Sequence, residues 1–366
     1  MSITAELGEV RPEAELGIID CDIHPYFKTP RELDAFLPAE WRRYVAEVGY
    51  FTCGAYASRL TYPRFSPNTC RRDAWPPGGG LPGSDLAFMR EQLLDRYNIS
   101  YGVLEPLLGA NAARNLDAAA AICRAMNDWQ AEVFVEPERR LRASILVPQD
   151  DAAAAVAEIE RRAGDWRFVQ IQLSSKTTEP LGRRRYWPIF AAAQANGLSI
   201  GLHVGGTQNS APSASGWPQF YIEEHHVLIH SMQNQAASLI LEGVFEAFPR
   251  LKVVLIEGAL AWGPTLAWRL DHHWEKMRSE VPQVKRPPSE YMRSNLWFST
   301  QPVEEPENPE DLRQTFDWIG WDRIIYSSDY PHWDFDDPHQ AFRIRFTPEE
   351  ERMIFRENAL GVYNFR

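Results

Sequence analysis

Short apolar runs alternate with longer amphipathic stretches over most of the chain. The run Gly17-Ile18-Ile19 leads into Asp20-Cys21-Asp22-Ile23-His24 and stops at Pro25, the pattern of a short strand. Residues 30–84 break the rhythm. A helix is predicted over 31–45, where Leu33, Phe36, Leu37, Trp41 and Val45 keep helical spacing, and a segment rich in Pro, Gly and aromatics follows. Regularity returns at Ser84, a good N-cap. Helices are predicted over 84–97, 115–136, 152–162, 187–196, 221–248, 262–277, 310–318 and 348–355, the last capped by Thr347. Strands are predicted over 99–105, 142–147, 168–173, 198–204, 251–257, 295–300 and 323–329.

With the first strand this makes eight, each separated from the next by helix. Such alternation implies a parallel sheet. Eight units imply an α/β fold of the (β/α)8 TIM barrel type, with an open doubly wound sheet as the alternative. No glycine-rich nucleotide pattern follows the first strand. Residues 1–16 are expected to form an N-terminal arm and 17–366 a single barrel domain. An inserted, lid-like segment is expected after the first strand, over about 36–83.

Charge narrows the partners. The net charge of −12 argues against nucleic acid or an anionic membrane. No run of about 18 apolar residues exists to span a membrane, and residues 1–11 hold no apolar signal core. A cytoplasmic protein acting on a small molecule is therefore expected. Cys21, Cys53, Cys70 and Cys123 form no CxxC pair and suggest neither a zinc knuckle nor a disulfide framework.

In a barrel the carboxyl ends of the strands converge on one face. Strand one ends in Asp22 and His24, two apart and so on one side of the strand. Strand five ends in His203, strand six in Glu257 and strand eight in Asp329. A lone carboxylate at the end of a buried strand is costly unless a cation meets it. Donors of this kind suit a divalent ion, Zn²⁺ first and Mn²⁺ second. His332, three residues past Asp329, is a candidate for substrate contact or proton transfer. Trp262 and Gln301 lie just past strand ends and are candidate pocket residues. His226 and His230 share a helix face and could hold a second metal with Glu223 or simply pack; His226 stays a substrate-contact candidate. His272 and His273 fall mid-helix and are read as structural. Arg59, Arg64, Arg71 and Arg72 are carboxylate binders or plain surface residues.

Five segments together resemble the amidohydrolase superfamily: Asp22-Ile23-His24-Pro25, Gly201-Leu202-His203, Phe248-Pro249-Arg250-Leu251-Lys252, Ser328-Asp329-Tyr330-Pro331-His332 and Glu357-Asn358-Ala359-Leu360-Gly361. The likeness is greatest to the branch holding aminocarboxymuconate semialdehyde decarboxylase and the resorcylate decarboxylases. It runs from Asp20 to Tyr363 and is weakest over 40–80. It implies metal ligands at Asp22, His24, His203 and Asp329, and a homodimer. Two departures stand out. The commonest first motif of the superfamily is His-x-His, whereas Asp22 holds the first place here, as a carboxylate does in some decarboxylases of the branch. Strand six in many members ends in a histidine that polarises the substrate or moves a proton; here it ends in Glu257. Members with two metals often bridge them with a modified lysine on strand four. Residues 168–173 contain none and Lys176 lies beyond, so one metal ion is expected.

The expected activity is that of a metal-dependent hydrolase of a small aromatic or carboxylated compound. Asp329 would take a proton from metal-activated water, with Glu257 and His332 as further catalytic candidates. Two alternatives stand beside it. One is a non-oxidative decarboxylase of a hydroxylated aromatic or unsaturated acid, with Asp329, Glu257 or His332 as the acid. The other is a catalytically inactive barrel used for binding.

Overall fold

Alternating strands and helices carry the chain back across the sheet after every strand, so neighbours pair in parallel. The computed structural model describes residues 17–29, 31–48, 69–107, 115–206, 211 and 215–365. Eight parallel strands pair in strict sequence order. They are β1 (Ile18–Ile23), β2 (Ile99–Leu104), β3 (Leu141–Leu146), β4 (Phe168–Lys176), β5 (Ser199–Gly206), β6 (Val253–Ile256), β7 (Leu296–Ser299) and β8 (Ile324–Ile325). Helices α1 (Ala39–Val48) and α2 (Leu86–Met89) precede β2, and α3 (Leu116–Gln130), α4 (Ala152–Arg162) and α5 (Trp187–Asn196) follow β2, β3 and β4. After β5 come α6 (Tyr221–Leu241) and α7 (Val244–Ala247), and after β6 come α8 (Trp262–Met277) and α9 (Pro288–Asn295). Helix α10 (Pro309–Ile319) follows β7, and α11 (Pro348–Arg352) and α12 (Asn358–Val362) close the chain. The architecture is the expected (β/α)8 TIM barrel.

The seam between β8 and β1 closes through backbone bonds. Cys21 N–H donates to the Tyr326 carbonyl (3.1 Å), Asp329 N–H to the Asp22 carbonyl (3.2 Å) and His24 N–H to the Tyr330 carbonyl (2.8 Å). The buried Asp20 carboxylate also accepts from the Ser328 N–H (2.9 Å) and hydroxyl (2.5 Å). A side chain thus carries part of the seam, and β8 ends well before residue 329. Ile19, Cys21, Val103, Val169, Val254, Ile256 and Ile325 form one buried cluster with Val362 and Tyr363 of the C-terminal segment. A larger cluster, with Trp129, Phe190, Phe245 and Phe316, joins strands to helices.

Several predicted elements shift for identifiable reasons. The helix over 31–45 divides at Pro38 into a turn, Glu32–Ala35, and α1, because proline supplies no N–H to continue the ladder. The N-cap of α2 is Asp85, whose carboxylate accepts from Phe88 N–H at 3.1 Å, rather than Ser84. The helix over 221–248 breaks at Gly243, whose φ of +83° suits glycine, giving α6 and α7. Helix α9 was not anticipated. Lys176, placed beyond strand four by the sequence reading, is the last residue of β4.

The arm over 1–16, residues 49–68 of the insert, Arg59, Arg64 and Cys53 lie outside the described residues. The described end of the insert rests on the loop after β8: Cys70 bridges His332, Arg71 N–H donates to the Pro331 carbonyl (2.9 Å) and Trp333 N–H to the Thr69 carbonyl (2.8 Å). Among the described residues no helix is long and apolar enough to cross a membrane.

Candidate metal centre

Asp22, His24, His203 and Glu257 offer ligand atoms that all lie within 4.8 Å of one another at the carboxyl ends of β1, β5 and β6. His24 Nε2 lies 2.7 Å from Asp329 Oδ1 and 3.2 Å from Asp22 Oδ1. His203 Nε2 lies 3.2 Å from Glu257 Oε2 and 3.8 Å from Asp22 Oδ1. Asp22 and Asp329 are fully buried, and each histidine is 3% exposed.

The other nitrogen of each ring fixes its tautomer. His24 Nδ1 is 2.6 Å from the Glu105 carbonyl oxygen, and His203 Nδ1 is 2.7 Å from the Val204 carbonyl oxygen. A carbonyl only accepts, so both Nδ1 atoms carry the proton and both Nε2 atoms present a lone pair. Burial first, then His332 and His203, holds His24 well below the ordinary imidazole range, and burial brings His203 down to about 4. The rings are therefore neutral at physiological pH. His203 Nε2 and both oxygens of Asp22 are buried without a hydrogen-bond partner. The His203 lone pair and both Asp22 oxygens thus face one another with no hydrogen-bond donor offered to them among the described residues. A divalent cation satisfies all of them at once, and a histidine braced through its second nitrogen is the usual form of a metal ligand. Asp22, His24 and His203 fit such an ion, with Glu257 in the same cluster and Asp329 beside it at 2.7 Å from His24 Nε2.

The surrounding carboxyls feel the same enclosure. Burial, then the Glu257 charge, pushes Asp22 and Asp329 well above the usual carboxylate range. Burial, then Asp334, lifts Glu257 to about 8. Glu257 and Asp329 both take positive φ, +54° and +60°. That conformation costs a non-glycine residue roughly 1–2 kcal/mol, so each carboxylate is held in place by the packing around it.

His332 and Gln301 join the site. His332 Nδ1 lies 2.5 Å from Asp329 Oδ1, and burial lowers its ring to about 4. Gln301 Nε2 donates to Asp329 Oδ2 (3.1 Å) and Asp334 Oδ2 (3.0 Å). Asp334 in turn lies 3.0 Å from His225 Nε2. Trp262 is spent on packing instead: it is buried, donates to the Gly258 carbonyl (2.8 Å) and meets the Phe298 ring at a tilt of 60°. His226 is exposed on α6 and faces His230 at 5.6 Å, while its neighbour His225 turns to the site. His272 and His273 are exposed on α8. Arg71 pairs with Asp73 and lies over the Phe335 ring, and Arg72 is exposed. Sequence reasoning passed over Glu105, although it has the same signal as Asp329, a lone carboxylate at the end of a buried strand. Its side chain accepts from Ser144 Oγ (2.9 Å) and from Gln170 Nε2 beneath the cluster.

A protein-family model described as amidohydrolase matches residues 19–365. The gamma-resorcylate decarboxylase of Polaromonas sp. (strain JS666) is 26% identical over 304 residues, which is 75% of this chain and 89% of that protein. Two solved structures share the fold. The 5-carboxyvanillate decarboxylase of Sphingomonas paucimobilis has a TM-score of 0.70 at 22% identity, covering 95% of this chain and 99% of that one. The dihydroxybenzoic acid decarboxylase of Polaromonas sp. JS666, with bound manganese and the inhibitor 2-nitroresorcinol, has a TM-score of 0.65 at 20% identity, covering 94% and 96%.

Proposed function

The chain belongs to the amidohydrolase family, and from that premise we propose that it is a metal-dependent carboxy-lyase. Its substrate is a hydroxylated aromatic acid, from which it removes the carboxylate without an oxidant. The observation that carries this reading is a set of unpartnered buried atoms, both Asp22 oxygens and His203 Nε2, gathered with His24 and Glu257 within 4.8 Å and flanked by Asp329, which lies 2.7 Å from His24 Nε2. The hydrolase expected from sequence gives way to this alternative, because the curated relatives spanning three quarters of the chain bear decarboxylase names. Manganese bound in a structure of the same fold supports Mn²⁺ as a candidate ion beside Zn²⁺.

The overall change is ArCO2⁻ + H⁺ → ArH + CO2: a C–C bond breaks, its electron pair takes a proton and CO2 leaves. A divalent ion held by Asp22, His24, His203 and Asp329 supplies a fixed positive charge for an anionic substrate. The protein's own task is to deliver the proton to the ring carbon. Glu257, lifted to about 8 in its buried place, is suited to hold a proton near neutral pH and give it up. His332, bonded to Asp329 Oδ1, links that carboxyl to the rim and to the insert at Cys70. The cleft beside it is lined by Pro25, Tyr26, Cys70, Pro82, Leu107 and Pro331, a largely apolar wall.

The test is CO2 release by metal-loaded protein from a panel of hydroxybenzoates that includes 2,6-dihydroxybenzoate and 5-carboxyvanillate, set against lactones, esters and amides. CO2 release with no turnover of the second group supports the carboxy-lyase. Hydrolysis without CO2 returns the hydrolase.

A further inference from the structure

The mouth of the barrel is crowded with carboxyl groups. Asp22, Glu257, Asp329 and Asp334 all face it, and every ion pair they make among the described residues runs to a histidine. An aromatic acid entering this site brings a further anion, so a cationic donor is needed besides the metal. Three of the four histidines involved cannot serve. His24 and His203 turn their free nitrogens inward, to the metal position. His332 is buried and gives its Nδ1 to the metal-facing Asp329.

His225 differs. It projects from the second turn of α6, and its Nε2 lies 3.0 Å from Asp334 Oδ2. Its ring, Glu257 and Asp334 form a cluster with ligand atoms within 4.8 Å, and Glu257 is shared with the metal centre. Gln301 holds Asp334 from the other side and also holds Asp329. A continuous set of contacts therefore runs from a metal ligand to His225. Flat walls flank the ring: Tyr221 at 5.9 Å and Trp333 at 5.7 Å between centroids, fixed to each other by the Trp333 Nε1–H bond to Tyr221 Oη at 3.1 Å.

We propose that His225, positioned by Asp334, receives the anionic substituent of the substrate, a carboxylate or phenolate, at the rim of the metal centre. This rests on the reading of the substrate as an aromatic acid. The charges facing His225 support it. Asp334 from the loop after β8, Glu257 after β6 and Glu224 on its own helix raise the imidazole above its ordinary range, with the Asp334 hydrogen bond foremost; His332 is the nearby group of like type. Asp334 is held between His225 Nε2 at 3.0 Å and Gln301 Nε2 at 3.0 Å, which fixes it as the partner of the imidazole. The donor set selects for a flat anion and against neutral esters and amides.

The test uses full-length, zinc-loaded protein with ¹³C at the histidine Cε1 positions. The His225 signal is identified by its loss in His225→Gln. The probes are acetate, a bare carboxylate, and 2,6-dihydroxybenzoate. The proposal expects the His225 signal to move with either probe, and His225→Gln to bind dihydroxybenzoate about tenfold more weakly at unchanged zinc content. Asp334→Asn, which leaves His225 in place, is expected to weaken binding as well and to shift the pH dependence of binding to lower pH. Movement with acetate but no binding of dihydroxybenzoate supports the anion site and retires the aromatic-acid reading. A His225 signal unmoved by both anions, or a folded, zinc-loaded His225→Gln that binds as tightly as the wild type, overturns the proposal.

Discussion

Glu257 shows what a single residue contributes here. It sits where β6 ends, in a left-handed backbone conformation, 3.2 Å from a metal-facing imidazole. Two roles compete, proton donor and extra ligand, and Glu257→Gln separates them. The amide keeps the shape and cannot give up an acidic proton. The account expects metal content to stay at the wild-type level while turnover falls by about 10²-fold or more, read by metal analysis and CO2 release on the same samples. Loss of the metal would instead make Glu257 a ligand. Asp22, His24, His203, Glu257 and Asp329 were legible in the sequence because a charged residue at the end of an apolar strand has few explanations. His225 was not. One residue along a helix is about 100° of rotation, and the sequence does not say which member of Glu223-Glu224-His225-His226 faces inward. Tyr221, four residues before His225, carried that phase, since both lie against Trp333.

Among the elements, the end of β1 is set by the strand and also by what lies over it. Gly83 takes φ +77°, and a Cβ added there would stand 2.3 Å from the His24 carbonyl oxygen. The Gly83 carbonyl also accepts the Tyr26 N–H at 3.0 Å. Gly83→Ala should therefore push the β1 end away from the cluster. The expected result is a loss of roughly 1–2 kcal/mol from backbone strain alone, seen as a lower melting temperature, together with weaker metal binding by titration. An unchanged affinity would show that the insert does not brace the site. At this scale the sequence reading was good for the order and kind of the strands, because each is a short apolar run between helical stretches. It was poorer at boundaries. Pro38 and Gly243 divide predicted helices, and Asp20 replaces ladder bonds in the seam, so β8 is shorter than its apolar run and the residues after it.

For the whole molecule, the carboxyl groups enclosed by the fold tie stability to metal and pH. Burial raises Asp20 and Asp336 to about 7 and Glu257 to about 8. Each binds a proton in the folded state that the unfolded chain has already released, so each favours folding at low pH and loses that contribution as pH rises through the folded value. His203 and His332, lowered to about 4, act oppositely, but only below about 6.5, where the unfolded imidazole charges. Above about pH 6.5 these carboxyls and His225, raised chiefly by its hydrogen bond to Asp334, act in the same direction. The melting temperature of metal-free protein should fall across this range, and the gap to metal-loaded protein should widen, as followed by scanning fluorimetry. A gap that is constant with pH would mean that the cation does not neutralise these groups.

The most direct measurement is metal content. Protein purified without added metal, wild type and His203→Ala/Asp329→Ala, is analysed by mass spectrometry before and after reconstitution with zinc or manganese. About one ion per wild-type chain is expected and almost none in the double variant, with both proteins folded. A wild type that neither carries nor takes up metal, or a double variant that binds it equally well, would contradict the centre on which the proposed chemistry depends.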